Sequence, residues 1–446
     1  MDLYGREWLE AEYKNLQNLG LIQPQEVLQV DGIQNGCNRC LNKEANNFSA
    51  FVDGDENIRY CRICLDFGLV SNRTKLYRSL KRLKVEEFAG ELDVDFQLSP
   101  LQQRASEFAK SCLRKNGTGM IWAVCGAGKT EMMFESISEA LKNKRRVCWA
   151  IPRTDVVIEL LPRLKKAFPN ASVVGLYGDS KEKMAYGDIV VSTVHQLIRF
   201  YEAFGLLIID EVDAFPYTFD KMLPRVAKKA CQKTCATLYL SATPSKADQA
   251  AIKKGQLDCC MIPARFHLHP LDIPKFKWLG SFQKAVEKGR IPLPLKRWFQ
   301  EKIKNGRRAL LFVPTIKSGQ QLQRLLVKKL NLDVELVYSS DEGRATKVQR
   351  YKEGKGQFLL TTMILERGVT IPNIDVAILG AEHRVYEESA LVQISGRVGR
   401  SPKFPSGEIV FFHYGITKAM SDARAQIALM NRLAKKEGLH AVPSLP

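Results

Sequence analysis

The stretch Ala123-Val-Cys-Gly-Ala-Gly-Lys-Thr130, AVCGAGKT, decides the fold of this 446-residue chain. It ends the apolar run GMIWAVC and leads into an amphipathic segment, the order of a strand, a glycine-rich turn and a helix. Gly126 and Gly128 let the backbone bend so that successive N–H groups point at phosphate oxygens. Lys129 is expected to reach the outer phosphates and Thr130 to ligate Mg²⁺. The stretch therefore predicts an ATP-binding loop, with an ordinary glycine-rich turn as the alternative.

Short apolar runs alternate with longer amphipathic segments through the rest of the chain. Runs such as DIVVST and TLYLSAT are typical of buried strands, and their alternation with helices predicts a parallel sheet covered on both faces. The alternation breaks between about residues 263 and 307, where several prolines fall, and then resumes. We therefore predict an α/β protein with two tandem parallel-sheet domains, at residues 93–264 and 265–446, preceded by an N-terminal domain at residues 1–92.

An acidic stretch, DEVD at residues 210–213, follows the apolar run LLIID. Ligands of parallel sheets bind at the carboxyl ends of the strands, where this stretch is expected to lie. We expect Asp210 to hold Mg²⁺, largely through water, and Glu211 to polarise the water that attacks the γ-phosphate. A run of acids after a strand is usually a solvated loop, but the phosphate loop in the same domain favours the catalytic interpretation.

Two arginines three residues apart occur in the stretch QISGRVGR, at residues 393–400. In a uniformly basic chain, Arg397 and Arg400 could simply cap a helix. Phosphoryl transfer, however, needs positive charge near the γ-phosphate, and arginines often supply it across a cleft. We predict that both arginines reach the phosphate only when the two domains close.

Further polar residues follow predicted strands and extend the two candidate sites. Gln102, in LSPLQ, is a candidate for reading adenine, although Ser99 and Pro100 also fit the start of a helix. Ser241-Ala-Thr243 is expected to couple the nucleotide site to the second domain. The predicted catalytic residues are Lys129, Glu211, Arg397 and Arg400. The predicted ATP- and Mg²⁺-binding residues are Gln102, Gly126, Ala127, Gly128, Lys129, Thr130, Asp210 and Gly368. The predicted DNA contacts are Arg153, Ser192, Thr193, Thr361 and Thr362.

The charge of the chain favours a polyanionic partner. The formal net charge is +19 and the isoelectric point about 9.4, which indicates nucleic acid. A basic, helix-like run at residues 71–85 and the segment Lys275-Phe-Lys-Trp278 offer charge, and the latter an aromatic face. No apolar run has the length of a membrane span, and the first residues do not resemble a signal peptide. An odd count of eleven cysteines, several of them inside apolar strands, favours a reducing cytosol.

Two Cys-x-x-Cys pairs lie in the N-terminal domain. Cys37 and Cys40 are separated from Cys61 and Cys64 by twenty residues, which is within the spacing of a four-thiolate zinc site. Four thiolates leave no open position, so such a zinc ion would be structural. Redox pairs or plain buried thiols are the alternatives.

The order of these motifs, from Gln102 to QISGRVGR, resembles a superfamily 2 helicase core with two RecA-like domains. Two departures, DEVD for DEAD and Gln393-Ile394 for His-Arg, argue against a DEAD-box RNA helicase. The stretches CWAIPRTDVVIEL, STVHQLIRF and DEVDAFPY resemble the ComFA family of late-competence ATPases from transformable Gram-positive bacteria. The resemblance implies a motor at the inner face of the cell membrane that helps import single-stranded DNA. It also implies ComFC and the DNA-uptake machinery as partners, peripheral membrane association through them, and ATP, Mg²⁺ and Zn²⁺ as cofactors. Self-association is left open.

Two other functions share some of these features. A primosome-type replication-restart helicase has similar motor motifs and carries zinc, but its cysteines interrupt the second lobe, and a DNA-fork-binding domain is expected ahead of the motor. A catalytically inactive nucleic-acid-binding scaffold is disfavoured because Lys129, Asp210, Glu211, Arg397 and Arg400 are all present.

Overall fold

The structure is a computed structural model that describes residues 3–79, 92–178, 187–367 and 371–439, with 180, 182 and 185 between them. The contacts within the chain divide it into two compact units. The first comprises Met1–Ile121 and Lys129–Cys260, and the second comprises Trp122–Gly128 and Met261–Pro446. The loop that carries the predicted phosphate-binding glycines thus groups with the second unit.

Helices and strands alternate after the N-terminal domain. That domain contains strands β1 (Glu7–Leu9), β2 (Val27–Asp31), β3 (Phe48–Asp53), β4 (Glu56–Cys61) and β5 (Lys75–Ser79) with helix α1 (Glu10–Asn18). The following strands are β6 (Thr118–Ala123), β7 (Val147–Ile151), β8 (Val173–Leu176), β9 (Ile189–Thr193), β10 (Phe204–Asp210), β11 (Cys231–Ser241) and β12 (Asp258–Ile262). Their helices are α2 (Pro100–Lys115), α3 (Lys129–Lys142), α4 (Thr154–Ala167), α5 (Met222–Ala230) and α6 (Lys246–Lys253).

The remaining elements repeat this alternation. The strands are β13 (Lys275–Trp278), β14 (Arg308–Phe312), β15 (Val334–Val337), β16 (Phe358–Thr361), β17 (Ile374–Leu379) and β18 (Ile409–His413). The helices are α7 (Phe282–Glu287), α8 (Leu293–Lys304), α9 (Ile316–Leu330), α10 (Arg344–Lys352), α11 (Glu388–Ser395) and α12 (Lys418–Lys436).

The first large sheet has the strand order β12-β6-β11-β10-β7-β9-β8, and the strands from β7 to β11 pair in parallel. Every residue of β7 is buried, as expected for a strand covered on both faces. The central strand β10 has six buried residues and ends at Asp210, so burial of its apolar part fixes the position of the carboxylate that follows. This arrangement sets Asp210 at the carboxyl edge of the sheet.

The second large sheet has the order β13-β18-β17-β14-β16-β15, and all of these neighbours pair in parallel. The chain passes from β14 to β15 and β16 on one side and then to β17 and β18 on the other. The order of connection therefore reverses between β14 and β17, which is the topological switch point where ligands of such sheets bind. The expectation of two parallel-sheet domains behind a domain with four cysteines is confirmed.

The N-terminal domain docks on the first large sheet through buried charges. The Lys229 ammonium in α5 donates to Glu7 Oε1 at 2.6 Å, to Arg39 O at 2.7 Å and to Ile198 O at 2.8 Å. Its side chain is 1% exposed, and that of Glu7 is fully buried. Glu7 also accepts from Arg78 Nε at 2.7 Å. This network joins the cysteine domain, the turn after β9 and α5 into one packed unit.

A basic, helix-like run is expected at residues 71–85. The predicted helix-like run is wrong for residues 75–79, which form β5 between β1 and β2. Residues 80–85 lie outside the described residues. Among the described residues, no helix combines the length and the apolar character that crossing a membrane requires.

Candidate functional site

The predicted phosphate loop has the backbone that its glycines suggest. Gly126 and Gly128 adopt φ of +82° and +81°, in the left-handed region that a residue with a Cβ rarely enters. Helix α3 begins at Lys129, immediately after the second glycine, so its first N–H groups continue from the loop. An anion at this position would meet the positive end of a fourteen-residue helix.

Lys129 and Asp210 come together within the first unit. Lys129 Nζ lies 3.6 Å from Asp210 Oδ1, which also accepts from the backbone N–H of Glu211 at 2.8 Å. Burial raises the pKa of the Asp210 carboxyl, and the nearby Lys129 ammonium opposes that rise. The carboxylate of Asp210 and the hydroxyl of Thr130 are hard oxygen donors of the kind Mg²⁺ prefers. The residues present at the start of α3 and at the end of β10 therefore fit a magnesium ion.

Glu211 has an unusual backbone. Its φ is +53°, in a region that costs a residue with a side chain roughly 1–2 kcal/mol. Such conformations persist only where surrounding structure holds them, and they cluster at functional sites. The chain therefore turns at Glu211, directly after β10 ends at Asp210. The two acidic residues predicted to have different roles thus differ in backbone conformation.

The last acid of the DEVD stretch contacts the Ser-Ala-Thr triplet. Asp213 Oδ1 accepts from Ser241 Oγ at 2.7 Å, and Asp213 Oδ2 accepts from Thr243 Oγ1 at 2.7 Å. Ser241 Oγ also accepts from the Thr243 N–H at 3.0 Å. Each carboxylate oxygen of Asp213 is thus occupied by one hydroxyl, and the end of β11 is tied to the end of β10. A movement of the acidic stretch would therefore displace residues 241–243 through these hydrogen bonds.

The two arginines of QISGRVGR differ in environment within the second unit. Arg397 is 3% exposed and donates from Nε to Glu366 O at 3.1 Å. Arg400 is partly exposed and donates from Nε to Gly396 O at 2.8 Å. Cys125 Sγ, in the loop that groups with this unit, donates to Gln393 Oε1 at 3.1 Å. The loop and the arginine motif are therefore neighbours inside one compact unit.

Arg265 was not identified from the sequence, although it holds these parts together. It is 1% exposed, and its guanidinium donates to Cys125 O at 3.2 Å and to Gly399 O at 2.6 Å. Burial, and then the charge of Arg400, lower the pKa of Arg265 to about 10, so it stays charged at neutral pH. A Cβ on Gly399 would lie 2.3 Å from Pro405 O, which restricts this position to glycine. The proline-rich context of Arg265 gave no signal for this role.

Gln102 lies where a helix-capping residue is expected. Its Oε1 accepts from the Ser99 N–H at 2.9 Å, and Ser99 Oγ accepts from the Gln102 N–H at 3.4 Å. This is a reciprocal capping box at the start of α2, with Pro100 in the first turn. The structural alternative given for LSPLQ is therefore present, and the adenine-reading role of Gln102 stays a prediction.

The predicted DNA contacts lie at strand ends, with side chains that are mostly occupied or buried. Arg153 makes a bidentate pair with Asp155, at 3.1 and 2.8 Å. Ser192 is fully buried, and its Oγ lies 3.7 Å from Cys148 Sγ. Thr193 is 7% exposed and Thr361 is buried, with Thr361 Oγ1 donating to Thr362 O at 3.0 Å. Gly368, predicted to bind ATP, lies outside the described residues.

The four cysteines of the N-terminal domain form one cluster. All four sulfur atoms lie within 4.8 Å of one another, and the pairs Cys37–Cys64 and Cys40–Cys61 are 3.6 Å apart. A tetrahedral zinc ion with Zn–S distances of about 2.3 Å would separate its sulfurs by roughly 3.8 Å. The cluster is buried, and β4 and the turn after it place the second pair. The donor set and its dimensions fit a structural zinc ion.

Three family models match successive parts of the chain. They describe the competence protein ComFA N-terminal domain at residues 3–78, the res subunit of type III restriction enzymes at 95–246, and the helicase conserved C-terminal domain at 294–402. The fold resembles solved structures of S. cerevisiae Dbp5 bound to RNA and ADP BeF3 and of Mycobacterium smegmatis helicase Lhr bound to ssDNA and AMP-PNP. Both matches have a TM-score of 0.53 and cover 75% of this chain. The Dbp5 match has 15% sequence identity and covers 92% of the Dbp5 chain, and the Lhr match has 16% identity and covers 50% of the Lhr chain. The fold and the motifs together define a protein with superfamily 2 helicase-like domains.

Two curated relatives narrow the assignment. The competence protein ComFA of Bacillus subtilis (strain 168) is 41% identical, over 97% of this chain and 92% of its own length. The ComFA of Streptococcus pneumoniae (strain ATCC BAA-255 / R6) is 37% identical, over 84% of this chain and 86% of its own length. The chain belongs to the ComFA family of competence proteins. The family expected from the sequence is confirmed.

Proposed function

We propose that the chain is an ATP-driven motor that translocates along single-stranded DNA and helps import transforming DNA. The observation that carries this proposal is the chain of contacts from Lys129 through Asp210 to Glu211, with Asp213 tied to Ser241 and Thr243. A nucleotide bound at the start of α3 would contact Lys129. When the nucleotide leaves, the hydrogen bonds between Asp213 and the hydroxyls of Ser241 and Thr243 offer a route by which the change reaches the end of β11.

The catalytic roles in this proposal follow from charge and position. Lys129 binds the outer phosphates, and Thr130 and Asp210 hold Mg²⁺, which neutralises phosphate charge when bound. Glu211 accepts a proton from the attacking water. Arg397 and Arg400 stabilise the charge that develops on the γ-phosphate. The ATP site is completed by the remaining predicted nucleotide contacts, Gly126, Ala127, Gly128, Gln102 and Gly368.

The single-stranded partner is favoured by net charge and by exposed aromatic groups. The formal charge of +19 supplies phosphate contacts that depend on salt. Arg153, Ser192, Thr193, Thr361 and Thr362 are proposed to lie along the strand. In β13, Lys275 and Lys277 are exposed beside Trp278, which is 64% exposed and available for stacking on a base.

The cellular setting is proposed from family membership. ComFC and the DNA-uptake machinery are the expected partners, with the motor in the cytoplasm and peripheral at the inner face of the membrane through them. The zinc domain at residues 1–92 is proposed to be structural, and domain boundaries near residues 92 and 264 would be tested by limited proteolysis. Self-association would be measured by analytical ultracentrifugation.

The proposal is tested by phosphate release with and without single-stranded DNA. We expect DNA of any sequence to accelerate hydrolysis, and the acceleration to fall steeply with salt. Arg400→Ala should abolish the accelerated rate while binding of a labelled oligonucleotide, followed by fluorescence anisotropy, stays nearly intact. A wild-type rate that single-stranded DNA leaves unchanged would refute the proposed motor.

A further inference from the structure

A cavity of about 530 Å³ lies in the second unit, at the switch point of its sheet. Pro314 follows β14, Gly380 follows β17 and Tyr414 follows β18, so the cavity opens beyond the carboxyl ends of three adjacent strands. Its size is within the range of about 300–1,000 Å³ that is typical of small-ligand sites. Fold topology and volume therefore mark a place where a ligand of modest size can bind.

Two cations line the cavity and are available to an anion. Lys284 in α7 and Arg384 after β17 are both exposed. Neither forms an ion pair with another residue in the part of the chain that the structure describes. Glu287, an acid on the same wall, already accepts from Gln283 Nε2 at 3.3 Å. The two cations come from two different elements, and the wall also carries the carboxylates of Glu287 and Glu382.

An aromatic ring and a shielded carboxylate form the other part of the wall. Tyr414 is 52% exposed, and its backbone N–H donates to Glu382 Oε2 at 3.4 Å. The second carboxylate oxygen of Glu382 would lie 3.7 Å from a Cβ on Gly380, another residue of the wall. Phe282, 1% exposed, and Pro314 give the floor an apolar character. An aromatic face beside a carboxylate suits a planar base that can stack and donate N–H groups.

We propose that this cavity binds a nucleotide, with the base on Tyr414 and the phosphate between Lys284 and Arg384. Where the nucleotide is a unit of a single DNA strand, the inference rests on the proposed function and adds a base-holding position to it. A free nucleotide offers the same chemistry. The two sources are separated by the experiment rather than by the shape of the site.

The first measurement is photo-crosslinking with 5-iododeoxyuridine, either within an oligonucleotide or as its free monophosphate. The crosslinked peptide is identified by mass spectrometry. A crosslink between the oligonucleotide and the peptide containing Tyr414 supports a strand nucleotide in the cavity, and one formed only by the monophosphate supports a free nucleotide. Crosslinks from neither probe to this peptide, with the oligonucleotide still bound, overturn the inference and leave the proposed function standing.

The second measurement compares binding of a thymidine oligonucleotide with binding of an abasic one of equal length. Tyr414→Leu is expected to weaken binding of the first roughly 5- to 150-fold and to leave the second unchanged, because stacking needs a base. Tyr414→Phe keeps the ring and should bind like the wild type. Lys284→Ala with Arg384→Ala should weaken both probes. Equal binding of both oligonucleotides by Tyr414→Leu and the wild type would rule out a strand nucleotide, and an unchanged crosslink of the monophosphate to Tyr414→Leu would rule out a free one. Failure of the wild type to bind either oligonucleotide would count against the proposed DNA motor itself.

Discussion

Replacing Lys229 with alanine tests whether the N-terminal domain and the first large sheet form one folded unit. The ammonium is buried and makes three hydrogen bonds, to Glu7, to the Arg39 carbonyl and to the Ile198 carbonyl. Burial lowers the pKa of Lys229, and the Glu7 carboxylate counters that effect. Lys229→Ala removes the ammonium, so the carbonyls of Arg39 and Ile198 lose this donor. Glu7 then keeps only one of its two cationic partners, Arg78.

The expected loss is large because the lysine's three acceptors stay buried after truncation. Breaking a buried ion pair from one side costs about 3–5 kcal/mol, and each orphaned carbonyl adds to the same penalty. Since Arg78 still contacts Glu7, we take about 4 kcal/mol as the expected loss for Lys229→Ala. At about 1.4 kcal/mol per factor of ten, exchange of the protected amides should accelerate several-hundredfold.

Hydrogen exchange measures this effect locally. The amides of β1 and β5 lie in the sheet that contains Glu7, so their protection reports the docked state. Lys228→Ala is the matched control, because Lys228 is the exposed neighbour in the same helix and should change protection by less than threefold. If Lys229→Ala left exchange in β1 and β5 as slow as in the control, the buried network would not be holding the two parts together.

Three further predictions concern the metal, the nucleotide and the acid response. Elemental analysis should find about one zinc per chain and almost none in Cys61→Ser/Cys64→Ser, which should also unfold more easily; an equally stable metal-free wild type would contradict this. Lys129→Ala should lose both ATP binding and hydrolysis, whereas Glu211→Gln should still bind ATP and lose turnover by orders of magnitude; normal turnover in the latter would remove Glu211 from its role. Burial alone would raise the pKa of Asp375, but hydrogen bonds from Arg307 and Lys302 bring it below its usual range. The stabilisation from the ionised Asp375 carboxylate is therefore complete above about pH 4 and is lost as the pH falls through its lowered pKa. We expect the urea midpoint of unfolding, measured from pH 7 to pH 3, to fall less steeply with acid in Asp375→Asn than in the wild type.

The parts of the site that were predicted from sequence are those whose residue types carry their own chemistry. Glycines before a lysine and a threonine, and paired cysteines at a fixed spacing, need little knowledge of what packs around them. The structure brings Lys129 next to Asp210 and gathers the four cysteines, as their patterns indicated. Their chemistry is local, so short stretches of sequence were enough.

The residues that the sequence did not reveal act through distant partners. Arg265 contacts the carbonyls of Cys125 and Gly399, and Lys229 contacts that of Arg39; a carbonyl has no side-chain signature. The basic run near Lys75 contains good helix formers, but pairing with β1 and β2 overrides that propensity. Ser192 ends a strand as predicted, yet the packing of that sheet covers its hydroxyl.

The N-terminal domain is synthesised well before Lys229, the residue that anchors it to the first large sheet. The domain that ends near Ser79 leaves the ribosome about 150 residues before Lys229 does. At about 5–20 residues per second, it waits roughly 8 to 30 s for the partner that covers Glu7. During synthesis all four cysteines therefore leave the ribosome while the docking face around Glu7 is still uncovered, so their cluster can form before the domain packs on the first large sheet.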